Sequence, residues 1–550
     1  MANIPDRSDV DAVVVGAGFA GLYALHRLRQ LGLNVVVVEA GDDVGGTWYW
    51  NRYPGARCDV ESADYSYSFS PELEQEWVWS ERFAAQPELL SYIRHVADRF
   101  DLRRDIWFGY RVVAAHFDEA SGRWTVELDE GQILRARYCV MATGCLSAPK
   151  DVDIDGLADF RGLVLRTARW PADDPDLSAS RVGCIGTGSS GIQCIPLLAA
   201  WSQHLHVFQR TPNFSVPARN APVPPEADRS LKSTYRDRRA HARSSFAGVV
   251  IEGTGKRAQE VSPQEREREY SARWERGGVQ FLGAFVDIRT DVAANDTAAE
   301  FIRARIRETV RDPDVAQKLL PSGYPVGTKR LCVDADYFAT FNRENVTLVD
   351  LRETPIERIT PTGVMVDGDH IELDVLVLAT GFDAFTGAVS HIDVRGRAGE
   401  TLAAHWASGP RTYLGLAVSG FPNLFLVTGP GSPSVLANMV VAIEQHVEWI
   451  TACVEWMDER QVDWIEATAE AEAEWVQHVR EVAELTLFPL TASWYSGSNV
   501  PGKPGVFVPY VGGLNTYAER CDDIARSEYS GFSVGRLALS GATSEGQSSD

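Results

Sequence analysis

Two glycine-rich turns, each set between an apolar strand and a helix, constrain this chain more than any other feature. The first is Gly16-Ala17-Gly18-Phe19-Ala20-Gly21. It follows the apolar run Val10 to Val15 and opens a helical pattern with Leu22, Leu25 and Leu28 on one face. Gly32 fits just past that helix, and Val35 to Val38 form the next strand, closed by Glu39. The second turn is Gly186-Thr187-Gly188-Ser189-Ser190-Gly191, between the strands Arg181 to Ile185 and Leu205 to Gln209. A lone G-x-G-x-x-G is weak evidence. Here a strand precedes each copy and a helix follows, so backbone can approach a pyrophosphate whose charge rests on a helix N-terminus. The expected fold class is α/β, with two Rossmann-like dinucleotide-binding domains.

The two units differ where specificity for the ribose is set. Glu39 ends the second strand of the first unit, about 20 residues after the first glycine, where a carboxylate accepts ribose hydroxyls and repels a 2′-phosphate. That site suits FAD or NAD. The second unit has Arg210 and Thr211 at the same place. A cation and a hydroxyl there favour the 2′-phosphate of NADPH. Two such sites in one chain imply hydride transfer from NADPH to flavin, which leaves a disulfide reductase or a monooxygenase. A reductase needs a redox cysteine pair near the flavin. Cys58 is the lone cysteine before Cys139, so that chemistry is missing.

Other segments fill in the organisation. Tyr138 to Ala142 is strand-like and runs into Ala142-Thr143-Gly144; Val375 to Leu378 leads to a similar Ala379-Thr380-Gly381. The proline-rich stretch Val216 to Pro225 reads as a linker. Charged, helical sequence follows, with Thr297 and Glu300 as a capping box for a helix carrying Ile302, Ile306 and Val310. The expected division is residues 1–150 and 381–535 for the FAD domain and 151–220 and 326–380 for the NADPH domain. A helical insertion takes 221–325, and 536–550 is a disordered tail. Net charge is −23, from 53 basic and 76 acidic residues. Nucleic acid and anionic membrane are therefore not expected partners, since both require basic surface. The start has no basic n-region, no run approaches the about 20 apolar residues of a membrane helix, and the eight cysteines are scattered without a C-x-x-C. A cytoplasmic protein with reduced thiols is expected.

One segment is more specific: Gly45-Gly46-Thr47-Trp48-Tyr49-Trp50-Asn51-Arg52-Tyr53-Pro54-Gly55-Ala56-Arg57-Cys58-Asp59. On its own it offers glycines that let backbone pack on a flat ring, tryptophans that shield it from water, and Asp59 as a candidate acid. The segment satisfies the long fingerprint of the Baeyer–Villiger monooxygenases, class B flavoprotein monooxygenases. The chain resembles that family from about residue 8 to 534, with the phenylacetone and steroid monooxygenase branch nearest in pattern. Gly327-Thr328-Lys329-Arg330 matches the segment bearing the family's active-site arginine. The resemblance implies catalytic Arg330 with Asp59 as its carboxylate partner, and Lys329 joining Arg210 and Thr211 on the 2′-phosphate. It also implies cofactor contacts from Gly46, Thr47, Trp48, Asp59 and Tyr65. Trp494 resembles the tryptophan of a mobile loop over the coenzyme. Gly429 to Leu436 resembles a substrate loop, so that Cys145, Leu146, Ser434, Val435 and Leu436 are expected at the substrate pocket.

What the resemblance implies is NADPH- and O2-dependent oxidation of a ketone to an ester or lactone through a C4a-peroxyflavin. A fixed guanidinium favours the anionic peroxide and the charge of the adduct. Mainly sulfur or nitrogen oxidation, or an uncoupled NADPH oxidase or redox sensor, stay open as alternatives. One position departs from the family. The short fingerprint F-x-G-x-x-x-H-x-x-x-W is met by Phe160, Gly162 and Trp170, but its histidine is Arg166. That stretch is expected at the domain joint, so coupling between domains is where a difference is expected.

Overall fold

Strands that are apolar on both faces belong at the centre of a covered sheet, and the buried strands leading into both glycine turns do so. The computed structural model describes residues 8–537. In the first sheet Asp9–Val15 pairs in parallel with Val35–Glu39 and with Ile133–Met141. Ile106–Phe108 extends it beyond Val35–Glu39. The long strand Ile133–Met141 is shared: its first half pairs antiparallel with Arg123–Leu128, its last residues in parallel with Leu424–Leu426. Val112–Asp118 and then Asp393–Arg395 complete that edge. The second sheet is wholly parallel, in the order Val346–Asp350, His204–Gln209, Arg181–Ile185, Val375–Leu378, Leu163–Arg166. The glycine-loop strand is central in each. The α/β class with two doubly wound sheets and a helical insertion is the observed architecture.

The third glycine of each motif is fixed by packing. A Cβ on Gly21 would lie 1.8 Å from the Gly16 carbonyl oxygen, and one on Gly191 2.2 Å from that of Gly186. Nothing but hydrogen lets these helices close on their strands. The helix after the first turn, Phe19–Gln30, then buries Leu22, Leu25 and Leu28, in the same core as the long helix Met439–Glu459.

Two local expectations are corrected. Val216 is not in a free linker: Ser215–Pro217 is a buried strand paired with Cys332–Asp334. The rest of that stretch is pinned to the first sheet's side by Arg82 N–H to Ala221 O and Val223 N–H to Ser80 O, both 2.9 Å. Proline is tolerated because it sits where a strand ends. The helix Val292–Thr309 starts five residues before Thr297, capped by Asp291, whose side chain accepts the Ala294 N–H. Thr297 lies inside it, its hydroxyl bonded to Ala294 O and near Tyr270 OH. An alanine-rich first turn gave the apolar period no early marker. Of the expected tail, Arg536 donates to Arg460 O and Leu537 N–H to Asp463; residues 538–550 lie outside the described residues.

Behind the first sheet, Glu472 is buried with three donors: Ser419 N–H, His405 Nε2 and Arg411 Nε, at 2.9–3.0 Å. That hydrogen bond to Glu472 raises the His405 pKa above its ordinary value. Burial opposes ionisation of Glu472, but His405 and the other donors hold its pKa below the ordinary value.

Candidate active site

Both glycine turns are built as phosphate cradles. Gly16 and Gly186 have φ of 105° and 112°, a region that excludes a side chain in practice. The helices Phe19–Gln30 and Ser189–Trp201 start at Gly18 and Gly188 with no side-chain cap. Their first N–H groups are therefore left for an outside acceptor. A Cβ on Gly188 would meet nothing within 4 Å, so the second cradle is open. The first is closed over by the fingerprint: Gly45 N–H donates to Ala17 O at 3.0 Å, and a Cβ on Gly46 would come within 2.8 Å of the Gly18 Cα. These residues fit a dinucleotide at each turn.

The strand ends differ as the sequence suggests. Glu39 is buried and accepts Ala17 N–H and Gly41 N–H, both at 2.7 Å. Burial raises its pKa against those donors. Arg210 is exposed. Thr187 Oγ1 donates to Thr211 O at 3.1 Å, tying the second turn to that strand end. Burial lowers the pKa of Lys329, and the Arg210 charge lowers it further. Lys150 behaves in the same way; no motif marks it, and sequence reading missed it. Its N–H donates to Gly381 O at 3.1 Å, beside the end of Val375–Leu378. Among the described residues none of the three cations has a carboxylate partner. In a chain of charge −23, an uncompensated basic cluster at that edge suits a phosphate.

The fingerprint spans the two sheets. Thr47–Trp50 forms a short helix, and Trp48 Nε1 reaches the Tyr65 hydroxyl at 3.4 Å, their rings edge to face. Tyr53 OH donates to Gln193 Oε1 at 2.8 Å, and Gln193 Nε2 to Arg57 O at 3.0 Å. A Cβ on Gly55 would lie 2.4 Å from Gln193 O, so the loop lies flat on the second sheet's glycine-turn helix. Ser189 Oγ contacts Cys332 Sγ at 3.3 Å, and Ser190 faces Tyr53.

At this seam Arg330 Nε donates to Asp59 Oδ2 at 3.2 Å and Arg330 Nη1 to Val435 O at 2.9 Å. Arg57, next to Asp59 but one, pairs with Glu81 instead. Burial disfavours the charge on Arg330, but Asp59 and Tyr495 more than offset it and raise its pKa. Burial pushes the Asp59 pKa up, and Arg330 only partly pulls it back. The arginine is thus the firmly charged member. It borders a cavity of about 110 Å³ whose wall also includes Val435, Leu436, Leu487 and Tyr495. Cys145, Leu146 and Trp494 pack in the cluster behind Val435 and Leu436, and Ser434 is fully buried at φ 45°; none of these four is on the cavity wall. Burial pushes the Cys145 thiol up to about 11, so it is an inert neighbour. All eight cysteines are free and buried. Trp494 stacks on Phe385 with centroids 5.6 Å apart. Tyr495, beside it, is the residue that sequence reading passed over.

Arg166 ends the edge strand Leu163–Arg166, level with Leu378, and has no ion pair among the described residues. The contact that crosses to the fingerprint is made by Arg169, whose guanidinium lies 4.2 Å from the centroid of a Trp50 ring.

Comparison with known proteins accords with this geometry. The family model described as pyridine nucleotide-disulphide oxidoreductase matches residues 10–234. A Baeyer–Villiger monooxygenase of Pseudooceanicola batsensis is 42% identical over 535 residues, 96% of this chain and 97% of that one. The chain belongs to the Baeyer–Villiger monooxygenases. A solved oxidized steroid monooxygenase bound to NADP superposes with a TM-score of 0.92 at 52% identity, covering 96% of this chain and 99% of its own. A phenazine N-monooxygenase of Lysobacter antibioticus is also 42% identical, over 96% of this chain and 97% of its own.

Proposed function

We propose that this chain uses NADPH and O2 to oxidise a small ketone to an ester or lactone. FAD is held by the first sheet (residues 8–150 and 381–535) and NADPH by the second (151–220 and 326–380), with 221–325 as the helical insertion. The observation that carries this reading is a charged arginine on the wall of an apolar cavity, fixed by Val435 O and by Asp59, the last residue of the fingerprint that packs on both glycine-turn units. Bound FAD, once reduced by NADPH, supplies the activated oxygen. The protein's part is electrostatic. The ketone oxygen gains negative charge as its carbon is attacked, and a guanidinium already in place stabilises that charge without reorganising. Asp59 and the Val435 carbonyl hold Arg330 in that pose. Trp48 and Tyr65 exclude water at the flavin side, and Trp494 covers the coenzyme side. Arg210, Thr211 and Lys329, with Lys150 as a further cation, take the 2′-phosphate, while Glu39 binds the ribose of FAD. Arg166, three residues before the Arg169 that contacts Trp50, is where coupling between the domains is proposed to differ.

Among the described residues no helix is long and apolar enough to cross a membrane. A cytoplasmic setting agrees with eight unpaired cysteines, and the acidic charge supports a small-molecule substrate rather than nucleic acid. The test is product analysis under 18O2 with phenylacetone and thioanisole as separate substrates. The expected outcome is an ester carrying one 18O atom and formed in step with NADPH use. Sulfoxide without ester selects heteroatom oxidation, which the phenazine N-monooxygenase relative keeps as the second reading. NADPH use that ends wholly in hydrogen peroxide overturns both.

A further inference from the structure

The cavity beside Arg330 holds a second arginine that the mechanism does not use. Arg289 lies in the segment leading into the helix Val292–Thr309, and its carbonyl accepts Leu487 N–H at 2.9 Å, which clamps it to the cavity rim. Its guanidinium lies 5.3 Å from the Phe246 ring centroid. Among the described residues it has no ion pair and no side-chain hydrogen bond. The carboxylates nearest in sequence are already engaged: Asp287 accepts Ala258 N–H and pairs with Arg257, and Asp291 caps its helix. The cavity wall carries two arginines and no carboxylate. Arg330 is matched by Asp59, so the cavity as a whole keeps one unmatched positive charge. Arg289, Arg330 and Tyr495 all line this one cavity. Arg289 is partly buried, and that burial lowers its pKa, the expected response of a partly dehydrated cation without a counter-ion.

A partly dehydrated guanidinium left unmatched by a neutral ligand is a standing cost, and a planar carboxylate is its best complement. We propose that Arg289 is a substrate-recognition residue that receives a carboxylate carried by the ketone, so that keto acids are the preferred substrates. This rests on the oxygenation reading for the word substrate, but the anion site itself does not. With the carboxylate on Arg289, the carbonyl is left to Arg330, and the spacing between the two groups of the ligand selects which keto acid fits. The contact at Phe246 keeps the cation in place when no anion is bound.

The test uses the full-length FAD-loaded protein with two pairs of probes. Calorimetric binding compares 4-phenylbutanoate with 4-phenylbutanamide, and turnover compares 4-oxo-4-phenylbutanoate with its methyl ester. A charge-assisted pair predicts a preference for the acid of about tenfold or more in both. Arg289→Leu brings both ratios to near one, and Arg289→Lys retains part of the preference, which shows that lost charge rather than lost folding is responsible. Equal binding of acid and amide by the wild type, or an unchanged ratio in Arg289→Leu, overturns the proposal. A binding preference with no ester from either ketone supports the anion site and overturns the oxygenation reading instead.

Discussion

If Asp59 acts only through Arg330, removing it matters only while the arginine is there. Asp59→Ala strips Arg330 of its 3.2 Å carboxylate contact and leaves it the Val435 carbonyl and the Tyr495 side chain. The side chains are 29% and 11% exposed, so solvent replaces little of what is lost. A hydrogen bond to a charged group contributes about 1.5–3 kcal/mol; limited screening puts this pair at about 2–3 kcal/mol, or about 30–150-fold in rate. The assay is kcat/KM for ester formation from phenylacetone, with peroxide released per NADPH measured alongside. Asp59→Ala should fall by that factor and leak more peroxide. Arg330→Ala should lower ester formation by about 100–1,000-fold, to a residual rate that can still be measured, while flavin reduction persists. The double variant should be no worse than Arg330→Ala, because residues acting as one unit are not additive. Fully additive losses, or near-native ester formation in Arg330→Ala, would refute the positioning role.

Arg210→Ala should raise the KM for NADPH about 10–100-fold with little change for NADH, since the lost contact is to the 2′-phosphate alone. Lys150→Met should act in the same direction and more weakly, and calorimetry with 2′,5′-ADP against 5′-AMP checks both. Gly21→Ala should yield protein depleted of FAD, read from flavin absorbance, whereas Gly191→Ala should keep its flavin and lose coenzyme binding. The His405–Glu472 pair should appear in the pH dependence of Tm. His405 has a raised pKa in the fold, so its contribution is complete below about pH 6.5 and is lost as pH rises through the folded value; Glu472, held low, keeps its own contribution until pH falls below about 4.3. His405→Gln should therefore cost more Tm at pH 6 than at pH 8, a difference that isolates this pair from His26, His206 and His446, whose burial lowers their pKa and acts with the opposite sign.

What the sequence reveals and what it hides have physical reasons. The glycine turns and the strand ends at Glu39 and Arg210 are local patterns, and local periodicity carries them. The Asp59–Arg330 contact joins residues far apart in the chain, and no spacing rule connects them; only the resemblance brought them together. Arg289 and Lys150 belong to no motif, and their significance is the absence of a partner, which only three dimensions reveal. The helix beginning at Asp291 and the strand around Val216 were misjudged for a related reason. A cap and an edge pairing depend on one or two bonds that composition does not register. Tyr495 was hidden beside the more conspicuous Trp494.

The first sheet is stitched from both ends of its coding order. Its central strand ends at Val15, yet its last two partners, Asp393–Arg395 and Leu424–Leu426, emerge from the ribosome some four hundred residues later. The second sheet needs nothing beyond Leu378. During synthesis the coenzyme fold is therefore complete while the flavin fold still waits with an open edge along Ile133–Met141, the kind of long-range pairing that slows folding and invites misassembly. Flavin supply and chaperone capacity at that late stage, rather than the intrinsic stability of the finished protein, become the natural bottleneck for producing active molecules in a foreign host.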